Sequence, residues 1–395
     1  MSAQADRGGW IAIRPFVAGA VVLAVAMGIG RFAYTPAIVV MRRDAGLTVA
    51  FAGILASTNL AGYLLGALLA MHPFARTHRV AAVRIGTITV VVTTAMIAFP
   101  SQPLWLVARF LTGVASGIVF VLTASLLLDR AAATGSRYGV ATVFSGVGIG
   151  IAAAGILVPA FASLGGSRAA WLGTAAISAL ALAVALPMLP SGAAHAATTA
   201  RPPARHGNGL FPHLALAYAV QGAAYIIPAT FLVAMVSDTP ALAPYAAATW
   251  VLVGIVAAPS MLWWGTIARR AGTPVALLGA YALQALTMLA PLVLPAAVGV
   301  AIIALGLGAT FMAISALTTE LARNLRPTNS NAAIGLLTVL YGIGQIIGPL
   351  IATHIALTTG SYRDALSLAA IALLLSAIPF ALHVLHGRRI IADAP

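Results

Sequence analysis

The chain has 395 residues, of which 61% are hydrophobic and 7% charged, too little polar surface to coat soluble domains of this size. Its apolar residues fall in long blocks and its 38 glycines follow no triplet period, which excludes disordered and collagen-like chains. All 21 basic residues are arginine against 7 acidic ones, a net charge of +14, and the absence of cysteine excludes disulfides, thiolate metal sites and cysteine nucleophiles.

Crossing about 30 Å of hydrocarbon takes roughly 20 apolar residues. Blocks of that kind predict helices over 14–41, 48–72, 80–99, 103–128, 138–162, 168–189, 212–236, 244–268, 273–294, 297–320, 330–355 and 362–385. The first block is long enough to span and lacks a cleavage site, so it is expected to be retained. The only long polar connection, 190–211, divides the blocks six and six. The expectation is an all-α membrane protein with twelve transmembrane helices in two six-helix bundles, 1–189 and 212–395, joined by a cytoplasmic linker at 190–211. With both termini cytoplasmic, fifteen arginines fall on the inner side and only Arg42, Arg43, Arg168 and Arg363 opposite, a bias that fixes this orientation. Net positive charge is therefore read as topology and not as nucleic-acid binding.

Block one carries Gly30-Arg31-Phe32-Ala33-Tyr34-Thr35-Pro36. Arg31 is about ten residues from the nearer end, too deep to snorkel easily, so it faces protein or a wet cavity. It is either a fixed cation for an anionic substrate group or a structural arginine bonded to carbonyls. Pro36 frees a backbone carbonyl beside it. In block two, Asn59 and Tyr63 could line a cavity or serve as interhelical glue. The turn that follows holds Arg76 and Arg79.

Block four contains Arg109, near enough to the outer end to snorkel, with Gly113 and Gly117 forming a small-residue face. Asp129 closes the block. Block five is crowded with Gly139, Gly146, Gly148, Gly150 and Gly155, read as close packing at the seam between halves. Block seven, aligned on its proline, reads Gly222-Ala223-Ala224-Tyr225-Ile226-Ile227-Pro228, which matches the glycine and proline of block one but not Arg31. Gln221 and Tyr225 lie beside this break. The pair Trp263-Trp264 in block eight reads as an interfacial anchor, and Arg269 in the next turn aligns with Arg76. These matches in register favour two related halves.

Block ten adds Thr310, Phe311 and Ser315 as cavity candidates and ends near Glu320; block eleven adds Tyr341 and Gln345 among glycines. Asp129 and Glu320 could form an inner gate with Arg137, Arg323 or the turn arginines Arg76, Arg79, Arg269 and Arg270, or could be solvated interfacial charges. No Asp or Glu lies in the middle third of any block. A cation exporter driven by protons wants a buried carboxylate, so anions or neutral solutes are the expected cargo. No catalytic or metal-ligand spacing is present, and neither enzyme activity nor a cofactor is expected.

Twelve spans split by one loop resemble the major facilitator superfamily across nearly the whole chain. Arg109 with Gly113 is similar to its helix-four arginine motif. The stretch from Gly66 to Arg79 lacks the aspartate of its loop motif, and the second copy, Gly265 to Gly272, has alanine at the acidic position. The runs Gly28 to Pro36, Asn59 to Gly66 and Tyr341 to Pro349 resemble the YbfB/YjiJ-like branch. The resemblance implies the major facilitator fold, two pseudo-symmetric bundles, and a bacterial inner-membrane secondary carrier with a central cavity lined by helices one, four, seven and ten. The reading is a monomeric carrier of a small organic anion, carboxylate or sulfonate, held by Arg31 with Arg109 as secondary positive potential. Tyr34, Asn59, Gln221, Tyr225 and Gln345 would shape the cavity, and proton coupling would run through the substrate's own acid or be absent. The rivals are an exporter of lipophilic compounds and a non-transporting sensor.

Overall fold

Long apolar sequence without a polar face can satisfy its backbone in a bilayer only as helix or closed barrel. The computed structural model describes the backbone of residues 2–136, 139–190, 209–326 and 330–392, and among these every regular element is helical. The α-helices are α1 Ser2–Leu23, α2 Tyr34–Asp44, α3 Val49–Ala70, α4 Pro73–Thr77, α5 Arg79–Met96, α6 Gln102–Thr134 and α7 Gly139–Ala185. They continue as α8 Leu210–Ser237, α9 Ala246–Ala271, α10 Thr273–Val293, α11 Ala296–Leu325, α12 Ser330–Thr359 and α13 Tyr362–Ala392. Most of the linker expected at 190–211 lies outside the described residues.

Among the described residues, eleven helical segments are long and apolar enough to cross a membrane, and the longest, Ala141–Met188, has 48 residues. A straight helix of that length would reach about 70 Å, more than twice the hydrocarbon thickness. It breaks instead at Gly165 and Gly166, where Gly166 adopts a φ of 65° that favours glycine. Asp44, at the end of α2, accepts the Ser167 backbone N–H at 3.0 Å and so caps the turn. With α7 counted as two crossings and α1 plus α2 as one, the predicted twelve are present in two pseudo-symmetric sets of six. An even number puts the chain termini on one face; the opposite one is called the distal face below.

The first crossing, expected as a helix over 14–41, is not one continuous α-helix. Ala24–Ile29 is a π-helical segment, with Gly30 N–H bonded to Val25 O at 2.8 Å and Phe32 N–H to Met27 O at 3.0 Å, and the chain turns through Gly30 to Ala33 before α2. The break sits where α7 packs backbone to backbone: a Cβ on Gly28 would lie 2.3 Å from Gly150 Cα. Pro36 falls in the first turn of α2, where a missing N–H costs nothing. The carbonyl it was expected to free, that of Phe32, takes the Thr35 N–H at 3.3 Å.

Within the first half α3 packs on α6, α5 on α6 and α1 on α7; within the second α10 packs on α11, α12 and α13 on α8, and α11 on α9. The halves meet along α7 with α9, α3 with α12, and α2 with α8. The glycines of α7 divide between two neighbours by helical phase. Gly146 faces α1 and Gly150 the start of the π-helical segment, both in their own half, while Gly148 and Gly155 face α9 across the seam. In α12, Gly342 faces Leu64 across the seam, but Gly344 and Gly348 face α8 in their own half. Of the tryptophan pair, Trp263 is exposed as an anchor should be. Trp264 is buried, its indole N–H donating to Ala309 O at 2.7 Å, because it turns inward to tie α9 to α11.

Candidate functional site

The break between α1 and α2 carries Arg31 away from its own half. Its Nη2 donates to the Tyr225 hydroxyl of α8 at 3.0 Å and to Gln345 Oε1 of α12, both in the second half. The guanidinium lies over the Tyr63 ring at 4.3 Å and the Phe32 ring at 5.0 Å. The residue is 5% exposed, and its Nε–H has no hydrogen-bond partner among the described residues. Arg31 is thus held by side chains and rings and not by helix carbonyls.

Arg109, on α6, does not snorkel outward. It is 2% exposed, its Nη1 donates to Gly30 O at 3.3 Å, and its guanidinium stands 4.3 Å from the Tyr34 ring centre. The turn in the first crossing supplies a carbonyl and a π face nearer than the interface, which is why the side chain points inward. Its Nε also lacks a partner. Asn59 donates from Nδ2 to the Arg109 backbone carbonyl at 2.8 Å and keeps Oδ1 unpaired; Tyr34 donates its hydroxyl to Ala52 O at 2.9 Å.

Arg31, Tyr34, Asn59 and Arg109 line one cavity of about 20 Å³, closed on the second-half side by Ile226, Ala229 and Thr230. That is room for a single water molecule, so the site is shut around its polar groups in this conformation. Three ion pairs occur among the described residues, Arg42–Asp238, Arg43–Asp44 and Arg79–Asp129, and none involves Arg31 or Arg109. Two guanidinium charges therefore share a membrane-embedded space without a carboxylate. The penalty for each uncompensated charge is several kcal/mol by order of magnitude.

The aromatic candidates are contiguous with Arg31. Tyr225 stacks on Tyr341 at 5.6 Å and on Phe311 at 6.1 Å, with the planes within 6°. Tyr341 in turn stacks on Tyr218 at 4.4 Å. Two candidates stand apart. Gln221 donates to Gln284 Oε1 at 3.2 Å inside the second half, and the Thr310 hydroxyl bonds Gly306 O at 2.6 Å within α11. Sequence reasoning passed over Thr35, Thr230, Tyr218 and Gln284. Only Gln284, an amide inside an apolar block, carried a signal that could have found it.

The charges expected at an inner gate lie within single halves here. Arg79 meets Asp129 at 2.6 Å and Ser125 at 3.2 Å, and Glu320 accepts from the Thr273 hydroxyl at 3.3 Å. Arg269 donates to Thr266, while Arg76, Arg270 and Arg323 form no ion pair among the described residues. Arg137 lies outside them. The halves are tied instead toward the distal face, where Arg42 meets Asp238 at 2.8 Å and the Thr35 hydroxyl donates to Ala229 O at 2.5 Å.

A family model described as the uncharacterised MFS-type transporter YbfB matches residues 23–380. Among curated proteins, none matches the chain in sequence. Among solved structures, the nucleoside transporter NupG superposes with a TM-score of 0.70 at 14% identity, covering 95% of this chain and 99% of its own. A mutant of the same transporter superposes with a TM-score of 0.71 at 13% identity, covering 94% and 99%. At such identities the likeness carries the fold alone.

Proposed function

The chain belongs to the family of the uncharacterised MFS-type transporter YbfB, and we propose that it moves a small organic anion across the bacterial inner membrane by alternating access. The anion is of the carboxylate or sulfonate class. The observation that carries this reading is Arg31: a buried guanidinium with no ion-pair partner among the described residues, spanning from the first half to Tyr225 and Gln345 of the second. A phenol and an amide are neutral acceptors. An oxyanion carries the opposite charge and accepts two parallel N–H bonds from the planar guanidinium, so it displaces them. Displacement releases the link between halves at the point where they rock, and binding is thereby coupled to movement.

Arg109 adds positive potential on the other side of the cavity, and Tyr34, Asn59 and Tyr63 position the anion. Tyr341 and Phe311 hold the Tyr225 ring in place. The six-crossing halves, 1–189 and 212–395, act as the moving bodies within a single chain. With the termini cytoplasmic, Arg42–Asp238 closes the outer side, and Asp129 and Glu320 with the nearby arginines stand at the inner one. Without a carboxylate in the middle of any span, protons accompany the substrate as its own acid or are not moved.

A nucleoside is the second reading, favoured by the parallel rings of Tyr225, Tyr341 and Phe311 together with the likeness to NupG. A thermal-shift screen of carboxylates, sulfonates and nucleosides on the purified protein, repeated on Arg31→Gln, separates the two. Anions are expected to stabilise the wild type and not the variant. Equal stabilisation of both proteins by anions, or stabilisation by nucleosides alone, overturns the reading.

A further inference from the structure

We infer that the substrate is a dianion, small enough to place one anionic group on Arg31 and the other on Arg109. This rests on the anion-carrier reading above and narrows it. Both arginines line the same cavity, both are at least nine-tenths buried, and each keeps an unpartnered Nε–H. A guanidinium offers five N–H donors and is not deprotonated in proteins. Neither positive charge can be shed to solvent as a proton, and no carboxylate lines the cavity. The balancing charge has to arrive with the cargo.

A monoanion satisfies one guanidinium and leaves the second buried and uncompensated, so the closed site keeps a net charge of about +1. A molecule with two carboxylates satisfies both and brings the closed site to neutrality. Asn59 fits the same picture. Its Nδ2 is spent on the Arg109 carbonyl, which fixes the helix carrying that arginine, and its free Oδ1 is left to accept from a hydroxyl between the two acidic groups.

Matched pairs test the number of charges with little change of shape: succinate, glutarate and phthalate against their monomethyl esters, titrated by calorimetry into the wild type, Arg109→Gln and Arg109→Lys. At least one diacid is expected to bind the wild type about tenfold or more tightly than its ester, the scale of one charge-assisted contact. Arg109→Gln should collapse that preference to within about threefold, and Arg109→Lys should retain it. Binding of esters and diacids within threefold of one another in the wild type overturns the inference while leaving the anion carrier standing. A preference undiminished in Arg109→Gln overturns it too. Absence of binding by every diacid and ester overturns both. Thermal unfolding of each variant identifies a misfolded protein, and in that event the wild-type pairs alone decide.

Discussion

Arg42, near the distal end of α2, and Asp238, immediately beyond α8, form the ion pair that ties the two halves together at the surface, with 2.8 Å between Nη1 and Oδ2. Their side chains are 31% and 47% exposed, so the pair contributes at most about 1 kcal/mol. Removing it should shift the closed distal side toward opening by up to about fivefold. The chain has no cysteine, so a single Thr230→Cys reporter beside the cavity is clean. Its labelling from the distal side by an impermeant maleimide should rise in Arg42→Gln or Asp238→Asn. An unchanged rate would show that the pair is not a gate.

Arg79 and Asp129 supply the contrast, since both belong to the first half. Asp129→Asn should lower thermal stability by about 1 kcal/mol without altering Thr230→Cys labelling in this conformation. A change in labelling would place Asp129 in the gating path.

Gln345→Ala removes one of the two neutral acceptors on the Arg31 guanidinium. The empty protein should lose about 1.5–3 kcal/mol, the usual worth of a hydrogen bond to a charged group. The stabilisation conferred by a bound anion should grow, because less is displaced on binding. Differential scanning fluorimetry with and without anion checks both; an unshifted empty protein would contradict the role given to Gln345.

Gly28→Ala addresses the break that presents Arg31. Its Cβ would lie 2.3 Å from Gly150 Cα and 2.8 Å from Ile151 N, and backbone cannot yield as a side chain can. Overpacking of this kind costs about 1–3 kcal/mol, so the melting temperature and the yield of monodisperse protein should both fall. Gly265→Ala is the control, because the nearest atom its Cβ would meet is Arg269 Nη1 at 3.6 Å. Equal behaviour of the two variants would contradict the backbone contact.

The helices were legible in the sequence because a bilayer demands unbroken apolar blocks, and Arg31 was legible because a charge inside such a block has few reasons to exist. Arg109 was half legible. Its distance from the block end allowed snorkelling, and only the turn at Gly30, brought beside α6 by packing, decides against it. The π-helical segment left no mark except Gly28 and Gly30, which equally suit a straight packed helix. The Arg42–Asp238 pair joins residues 196 apart in the chain, and the pairing of Gln221 with Gln284 spans 63. Such contacts depend on how helices are arranged, and hydropathy does not record arrangement.

Counterflow in proteoliposomes tests the role of Arg31 most directly. Vesicles carrying wild-type protein and loaded with the anion that most raises its melting temperature should accumulate the same labelled anion from outside, whereas Arg31→Gln vesicles should match protein-free ones while the variant keeps its folded, monodisperse profile. Accumulation by Arg31→Gln at the wild-type rate would contradict the assignment and leave Arg31 a structural residue.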